Sequence, residues 1–406
     1  MQRRDLLRYA LASAPLVLNG TRVWAASADS SVRFLLVFLR GGYDAANLLV
    51  PHGSPFYYEA RPSIAIARPG SAADAALPID GQWALAPALA DSIHPLFLRG
   101  HAAFIPFAGT DDTSRSHFET QDRIELGQGT GSVRDYGSGF LNRLAGVLGA
   151  ARASRQDVDR LSALAFTDQL PIVFRGAHPV ANQSLRTVGK PSVDERQAEI
   201  IEHMYAGTRL ATAVSGGFEV RSEISREMAE EMEGASRNAI SSKGFAVEAR
   251  RIARLMKERV QLGFIDVGGW DTHVGEGGAT GALANKLADL GRGLATFADE
   301  MGEQWGRTVV VVLSEFGRTF RENGNRGTDH GHGSVYWVLG GGIRGGRVVG
   351  EQQTVDARSL FQNRDYPVLN EYRAVLGGLF ARLYGLNATQ LAQIFPGARS
   401  RDLDLA

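Results

Sequence analysis

Four apolar runs, each followed directly by glycine and polar residues, constrain this chain more than any other feature. They are rich in Val, Ile, Leu and Phe, the composition of strands that are buried on both faces of a parallel sheet. Parallel strands deliver the loops that follow them to one edge of the sheet, and ligands bind in the crevice beyond that edge. The runs are 32–39, 102–107, 260–267 and 308–313. We therefore expect the functional side chains in the four loops that follow.

Helical patterns separate most of these runs. Alternating strands and helices predict an α/β fold, a three-layer α/β/α sandwich with a mostly parallel sheet. A further apolar run at 335–339 adds a strand. Residues 138–258 are predicted as a largely helical insertion, whose later part, 222–257, has the composition of solvated amphipathic helices. Apolar residues recur at helical spacing within 280–304, at Leu283, Leu287, Leu290, Leu294 and Phe297.

The composition limits the chemistry. The chain has 406 residues and no cysteine, which leaves carboxylates, imidazoles and hydroxyls as the reactive groups. A bound metal ion would therefore be held by oxygen and nitrogen. Lys and Arg together number 44, as do Asp and Glu. Because there is no excess of positive charge, neither nucleic acid nor an anionic membrane is expected as a partner.

The N-terminus has the pattern of an export signal. Arg3 and Arg4 precede the apolar run 9–18 and a stretch of small residues. This pattern is typical of a cleaved secretory signal, and paired arginines indicate the twin-arginine route. We expect residues 1–28 to be removed, a mature chain that starts near Asp29, and a periplasmic or secreted protein that meets the twin-arginine export machinery. An uncleaved membrane anchor is the alternative, but about ten apolar residues are too few to span a bilayer, and no later run is longer.

Two of the loops combine carboxylate and imidazole groups. Asp271 and His273 follow the third run two residues apart, so both can converge on one cation. His330 and His332 lie with Asp329 in a glycine-flanked loop, and glycine lets the backbone approach an ion closely. The alternatives are an Asp that caps the following turn and a glycine-rich turn with solvated histidines.

Two further loops offer polar groups. Behind two glycines, the first run is followed by Asp44, a candidate ligand, and Asn47, a candidate donor to an oxyanion or phosphoryl oxygen. Asn47 can equally satisfy its own loop backbone. Residues 113–122 have the pattern of a helix N-terminus, where backbone N–H groups bind anions and the Ser116 hydroxyl would feel the helix dipole. Ser116 with Glu119 three positions later also matches an ordinary capping box.

At these residues the sequence resembles the domain-of-unknown-function family numbered 1501, within the alkaline phosphatase and sulfatase superfamily. The resemblance covers essentially the whole mature chain and implies a single alkaline phosphatase-like domain over residues 29–406. The motifs that carry it are GGYD at 41–44, SRSHF at 114–118, GWDTH at 269–273, SEFGRT at 314–319, DHG at 329–331, YRAVL at 372–376 and IFPG at 394–397.

The superfamily resemblance implies a two-metal site. There an Asp after the first strand and an Asp-His pair hold one cation, another Asp and two His hold the second, and a Ser or Thr attacks phosphorus or sulfur. Carried over, Asp44 matches the first Asp, Asp271 and His273 match the second cluster, and His330 matches the late His. Glu315, followed by phenylalanine, stands where the superfamily commonly has Asp-His, so one imidazole is missing.

The sequence thus predicts a secreted, metal-dependent hydrolase of phosphate or sulfate esters. Ser116 is the expected nucleophile, and His117 beside it either acts as a base or replaces the missing imidazole. The expected ligands are Asp44, Asp271, His273, Glu315 and His330. The groups expected to stabilise the anion are Arg318 and Asn47.

Some choices stay open from sequence. Thr113 and Ser114 are alternative nucleophiles, and His332 is expected behind the ligands. The site would hold one or two divalent cations, zinc first, with manganese, magnesium or calcium as alternatives, because mixed carboxylate and imidazole ligands suit several metals. The partner is a small-molecule or polymer-borne phosphate or sulfate ester. The rival hypothesis is a secreted, non-catalytic metal-binding or assembly protein with the same fold.

Overall fold

A central sheet organises the protein in the computed structural model, which describes residues 32–153, 163–185, 195–211, 214 and 244–406. Within these ranges the strands form one nine-stranded and one three-stranded sheet. In chain order they are β1 (Arg33–Leu39), β2 (Leu49–Val50), β3 (Leu77–Pro78), β4 (Ala84–Leu85), β5 (Ala102–Gly109), β6 (Ala163–Ala165), β7 (Ala181–Asn182), β8 (Leu262–Val267), β9 (Thr308–Ser314), β10 (Ser334–Leu339), β11 (Arg347–Val348) and β12 (Asn370–Glu371).

The large sheet is mostly parallel. Its order is β11-β5-β10-β9-β1-β8-β6-β7, with β12 paired to β5, and β2-β4-β3 form the small sheet. Among the described strands of the large sheet, β10 alone runs against its neighbours, antiparallel to both β5 and β9. The strands β1, β5, β8 and β9 therefore share one direction, as the four apolar runs predicted. The predicted run at 335–339 is this reversed strand.

Helices separate most of the strands in the described part of the chain. They are α1 (Pro55–Ala60), α2 (Ile93–Leu98), α3 (His117–Leu126), α4 (Phe140–Ala153), α5 (Glu195–Tyr205), α6 (Phe245–Glu258), α7 (Ala282–Met301), α8 (Tyr372–Tyr384) and α9 (Ala388–Ile394). The side chains of β1 alternate between two cores: Leu35 and Val37 pack with α2, α6 and α7, whereas Phe34 and Leu36 pack with α4, α8 and α9. This arrangement confirms the predicted three-layer sandwich.

The α7 prediction is also confirmed, since all five of its apolar positions are buried. Burying each of these side chains contributes roughly 1.5–3 kcal/mol to the stability of the fold and holds α7 against the sheet.

The described residues of the region 138–258 form strands as well as helices. The region contains α4, α5 and α6, but it also contributes β6 and β7, which extend the large sheet beyond β8. These strands are only three and two residues long, too short to show a period-2 pattern in the sequence. Residues 222–243 of the predicted amphipathic stretch, the signal at 1–28 and the mature start near Asp29 lie outside the described residues.

The topology brings five loops to one edge of the sheet. The parallel strands β1, β5, β8 and β9 end there. Because β10 is antiparallel, it begins at the same edge, where Ser334 is opposite Ala108 near the end of β5. Residues just before β10, including His330, therefore meet the loops that follow the parallel strands. No helix in the described part of the chain has the length and apolar character needed to cross a membrane.

Candidate metal centre

Three side chains from different strand ends form a compact cluster. His117 is the first residue of α3 after β5, Asp271 follows β8 and His330 precedes β10. One ligand atom from each lies within 4.8 Å of the others. The Nε2 atoms of His117 and His330 are 3.0 Å apart, and His117 Nε2 is 3.5 Å from an Asp271 oxygen.

His273 joins the cluster from the same loop as Asp271. Its Nε2 lies 3.1 Å from Nε2 of His330 and 2.9 Å from an Asp271 oxygen. Two nitrogens that bind one tetrahedral zinc ion at 2.0–2.1 Å are roughly 3.3 Å apart, so the observed spacings are near those of shared ligands. The side chains of His273 and Asp271 are 40% and 42% exposed, so the cluster opens to solvent.

The other nitrogen of each imidazole contacts a hydrogen-bond acceptor. His117 Nδ1 lies 2.7 Å from a carboxylate oxygen of Glu315, and His330 Nδ1 lies 3.0 Å from the carbonyl oxygen of Arg115. Ionised carboxylates and carbonyls only accept hydrogen bonds, so Nδ1 must carry the proton in each ring.

The third imidazole follows the same rule. His273 Nδ1 lies 3.3 Å from a carboxylate oxygen of Asp329. In their neutral forms, all three imidazoles therefore direct Nε2 lone pairs at one another and towards Asp271. Neighbouring lone pairs repel unless a cation lies between them, and a metal-ligating imidazole commonly donates its second N–H to such a partner. The donor set fits a divalent cation.

The surroundings set the protonation of two of these imidazoles in opposite directions. The hydrogen bond to Glu315 raises the pKa of His117 above its ordinary value. Burial, and then the charge of a protonated His117, lower the pKa of His330. Glu315 thus favours the protonated form of His117, whereas burial favours the neutral form of His330.

Asp271 is fixed by Arg318, which sequence analysis treated as an anion stabiliser. The Arg318 side chain is buried, and it donates to an oxygen of Asp271 and to backbone carbonyls around it. These carbonyls belong to Gly41, Gly42, Trp270 and Thr328. Burial would raise the pKa of Asp271, but the hydrogen bond from Arg318 lowers it below its ordinary value. Arg318 therefore holds Asp271 in place, and its predicted role as an anion stabiliser stays a prediction.

Glu315 lies behind His117. Its Oε1 accepts from His117 Nδ1, from the Gly41 N–H at 2.8 Å and from Gln121 Nε2 at 2.8 Å, while its Oε2 accepts from Ser314. The side chain is fully buried with both oxygens engaged, an arrangement that supports His117, and its role as a direct ligand stays a prediction. His117 lies between Glu315 and the cluster, which agrees with one of the two roles that the sequence suggested for it, the replacement of the imidazole missing at 316.

Asp44, the first of the predicted ligands, forms a buried ion pair instead. Its side chain is buried, and both oxygens accept from the guanidinium of Arg61, which follows α1, with one contact at 2.9 Å. Burial would raise the pKa of Asp44, but the charge and hydrogen bonds of Arg61 lower it. The Arg61 guanidinium already neutralises this carboxylate, which disfavours Asp44 as a metal ligand.

Asn47 belongs to the same buried network. Its amide nitrogen donates to the Ile64 carbonyl at 2.8 Å, and its oxygen accepts from Tyr57 at 2.6 Å and Arg61 at 3.1 Å. The side chain has no exposed surface. Asn47 thus satisfies its loop, the alternative that the sequence left open, and cannot reach an oxyanion.

Ser116 occupies the N-cap position of α3, next to His117. Its side chain makes no cap hydrogen bond, so the capping box with Glu119 is absent. The side chain is partly exposed, whereas Thr113 and Ser114 are exposed. The position keeps Ser116 a candidate nucleophile, and the α3 N-terminus directs backbone N–H groups into the same space.

Several residues that hydrogen-bond to the groups around the cluster were not predicted from the sequence. Gln121 donates to Glu315, Asn323 donates to Asp329 at 3.1 Å, and Arg364 donates to the carbonyl of His330 at 2.9 Å. Gln121 lies one helical turn after His117, a spacing that places both on one face of α3 and was readable from the sequence.

His332 lies behind the cluster, as the sequence predicted. It is buried and packs its ring 4.9 Å from that of Phe361. Burial, and then the charge of Arg115, lower its pKa to about 4. The side chain is therefore neutral at ordinary pH, and it is not a member of the group that His117, Asp271 and His330 form.

Two solved structures are distantly similar to this chain. A protein of the alkaline phosphatase superfamily from Vibrio parahaemolyticus aligns with a TM-score of 0.38 and 9% identity, over 87% of this chain and 66% of that one, a little under two thirds. Ps i-CgsB in complex with k-i-k-neocarrahexaose aligns with a TM-score of 0.35 and 8% identity, over 88% of this chain and 73% of that one. Likenesses at this level do not bear on chemistry.

Sequence comparison identifies the family. Among curated proteins, none has a sequence that matches this chain. The family model described as "Protein of unknown function (DUF1501)" matches residues 31–395, which confirms the membership that the motifs predicted. The chain belongs to the DUF1501 family.

Proposed function

We propose that the protein is a hydrolase of phosphate or sulfate esters that depends on one divalent cation. The ligands are Nε2 of His117, Nε2 of His330 and a carboxylate oxygen of Asp271, with Nε2 of His273 as a fourth. The observation that carries the proposal is the convergence of these atoms while each imidazole donates its Nδ1 proton elsewhere.

The ion pair of Asp44 and Arg61 supports a site for one metal ion rather than two. The cation that the superfamily pattern places on the Asp after the first strand would need Asp44, but Arg61 already engages both oxygens of that carboxylate. Zinc suits a site of imidazoles and one carboxylate with an open position, and manganese, magnesium and calcium are the alternatives. The openness of the cluster supports a catalytic rather than a closed structural site.

We expect the ester to lie beside the bound ion, with Ser116, the first N–H groups of α3 and Arg364 around it. A bound zinc supplies Lewis-acid activation of an oxygen nucleophile and of the ester. Ser116 is the proposed nucleophile because it precedes His117 at the N-terminus of α3. The first N–H groups of α3 would bind a non-bridging oxygen. Arg364, with a side chain 40% exposed beside His330, would add positive charge for the anion.

Turnover by metal-reconstituted protein tests this function. The mature chain is stripped with a chelator, reloaded with zinc, manganese, magnesium or calcium, and assayed on aryl and alkyl phosphates and sulfates. We expect turnover only after reloading, and His330→Ala to abolish both metal retention and turnover. The matched control is His52→Ala, whose ring contacts only the Asp80 carbonyl among the described hydrogen bonds and should leave both unchanged.

The outcomes separate the two hypotheses of function. Metal retention that requires His330, without turnover on any ester, would favour the non-catalytic metal-binding or assembly protein. Turnover that persists in the chelated protein or in His330→Ala would contradict the proposed site. The substrate, whether small or borne on a polymer, would follow from the reactive members of the panel.

We further propose that the protein acts in the periplasm or outside the cell after twin-arginine export. The support is the sequence pattern around Arg3 and Arg4. Folded export also suits a protein that acquires its metal before secretion. Replacing both arginines by lysine should leave the precursor in the cytoplasm, measured by cell fractionation and by the N-terminal sequence of the exported chain. Unchanged export of this variant, with processing near Asp29, would contradict the twin-arginine route.

A further inference from the structure

Glu276 is a buried carboxyl group that the proposed chemistry does not use. It lies between β8 and α7, five residues after Asp271, and has no exposed surface. Its Oε2 accepts hydrogen bonds from two threonine hydroxyls, 2.9 Å from Thr272 and 2.7 Å from Thr328. A buried charge without such contacts would be costly, so the arrangement needs a physical reason.

The two threonines belong to the two loops that carry the proposed ligands. Thr272 stands between Asp271 and His273, and Thr328 lies two residues before His330. The backbones of the loops also meet, because the Thr328 N–H donates to the Thr272 carbonyl at 3.2 Å. A single oxygen of Glu276 thus joins the loop after β8 to the loop before β10, directly behind the cluster.

The second oxygen faces the buried ion pair of Asp44 and Arg61. Glu276 Oε1 accepts no hydrogen bond from any described residue. Burial, and then the neighbouring charge of Asp44, raise the pKa of Glu276 to about 9. At neutral pH the carboxyl is therefore protonated and uncharged beside Asp44, and its Oε2 is the acceptor for both threonines.

We infer that Glu276 is a positioning residue for the metal centre, because it fixes the spacing between the loop of Asp271 and His273 and the loop of His330. The inference rests on the metal site of the proposed function. It assigns Glu276 no contact with the ion or the substrate. The rigid neighbours of a metal site set ligand spacing, and their loss commonly weakens metal affinity by about 10–100-fold.

Cobalt binding to three variants tests the inference without relying on catalysis. Metal-free mature protein is titrated with Co²⁺, and the dissociation constant and visible absorption spectrum are recorded. Glu276→Gln keeps one oxygen for both threonines and stays uncharged beside Asp44, so we expect the wild-type spectrum and an affinity within about threefold. Glu276→Leu removes the shared acceptor and should weaken Co²⁺ binding by about 10–100-fold with an altered spectrum.

Thr328→Val keeps the test decisive if the leucine variant does not fold. It removes one hydroxyl with little change in shape and should weaken Co²⁺ binding by at least about threefold, with a circular dichroism spectrum like that of the wild type. Folded Glu276→Leu or Thr328→Val that binds Co²⁺ as the wild type does would overturn the inference. A loss of Co²⁺ affinity in Glu276→Gln as large as that in Glu276→Leu would also overturn the inference.

The same titration separates this inference from the proposed function. Wild-type protein that binds Co²⁺ and shows the expected order of variants, yet hydrolyses no ester, would contradict the function and support the positioning role. Ester turnover with variants of unchanged affinity would contradict the positioning role alone. Wild-type protein that binds no Co²⁺ would overturn both.

Discussion

The geometry of single imidazoles depends on the partner of the nitrogen that faces away from the cluster. His117 is the clearest case, since its Nδ1 meets a fully buried carboxylate. Burial would raise the pKa of Glu315, but hydrogen bonds from His117 and then Gln121 lower it, so the carboxyl stays ionised and holds the His117 tautomer. Glu315, predicted from sequence as a ligand, thus orients a proposed ligand.

Glu315→Gln should weaken metal binding. The amide keeps the size of the side chain but replaces a carboxylate acceptor by a neutral one, which reduces both the basicity and the orientation of His117. We expect zinc affinity to fall by about 10–100-fold, measured by competition with a chromogenic chelator. Glu322→Gln, at a carboxylate that accepts from Ser63 at 2.9 Å, is the matched control and should bind zinc as the wild type does. Equal affinities in all three proteins would show that Glu315 does not support the ligand.

How far individual residues could be predicted depended on the range of their contacts. Asp271, His273 and His330 were recognisable because each combines a metal-binding group with a place beside a buried strand. Asp44 has the same sequence context, but its partner Arg61 lies 17 residues away at the end of α1. No local pattern connects these two positions, and the ion pair decides whether the carboxylate is available.

Loops, rather than strands, bring the ligands to their final spacing. The loop after β9 and the loop before β10 pair through their backbones: the Gly331 N–H donates to the Gly317 carbonyl at 2.8 Å, and the Gly317 N–H donates to the His332 carbonyl at 2.9 Å. A Cβ on Gly331 would lie 2.4 Å from the backbone carbonyl of Arg318. Only glycine allows this close approach, which keeps Arg318 against Asp271.

Gly331→Ala should therefore damage both stability and the site. We expect a loss of roughly 1–3 kcal/mol in the free energy of unfolding, because the methyl group forces the two loops apart. Zinc affinity should fall as well, since His330 and Arg318 move with these loops. Chemical denaturation and zinc competition measure the two effects.

Gly324→Ala is the matched control for that substitution. A Cβ there meets no atom within 4 Å, and the residue has no positive φ. Its unfolding free energy should lie within about 0.5 kcal/mol of the wild type. If Gly331→Ala were as stable and bound zinc as well as this control, the close pairing of the loops would not matter.

At the level of elements, long periodic segments were predictable and short ones were not. α7 and the four long parallel strands follow from spacing and run length. The direction of β10 did not follow, since an apolar run of five or six residues looks alike in either orientation. That direction matters, because it brings His330 to the edge where β1, β5, β8 and β9 end.

Across the whole molecule, a buried polar cluster lies beneath the site. Asp44, Arg61 and Glu276 are each at most 1% exposed. With Asp44 ionised, Arg61 cationic and Glu276 protonated, the cluster has no net charge, which limits the cost of its burial. The proton on Glu276 makes stability depend on pH.

The sign of this dependence follows from the pKa of Glu276. The carboxyl has a pKa of about 9 in the folded protein and near its ordinary value of 4.5 when unfolded. Between these values the folded state holds a proton that the unfolded chain releases. The free energy of unfolding should therefore fall as pH rises through this window, by at most about 1.4 kcal/mol per pH unit from this group.

Glu276→Gln isolates that contribution because it cannot release the proton. Its free energy of unfolding should rise relative to that of the wild type as pH increases from about 6 to about 8, measured by urea denaturation of metal-free protein. Parallel pH profiles for the two proteins would mean that Glu276 is not protonated in the folded state.

At the scale of the whole chain, the fold class and the edge that carries the site were predictable, because buried parallel strands leave continuous apolar runs. The number of ions was not. It depends on which carboxylates are free once the chain has folded, and Arg61 engages Asp44 while Glu315 is enclosed behind His117.

The number and the ligands of the bound ion can be measured by anomalous diffraction at the zinc absorption edge from crystals of the zinc-loaded mature protein. We predict one strong peak per chain, about 2.0–2.2 Å from Nε2 of His117, Nε2 of His330 and a carboxylate oxygen of Asp271. A peak bound by Asp44 or Glu315, or no peak among the three imidazoles, would contradict this prediction.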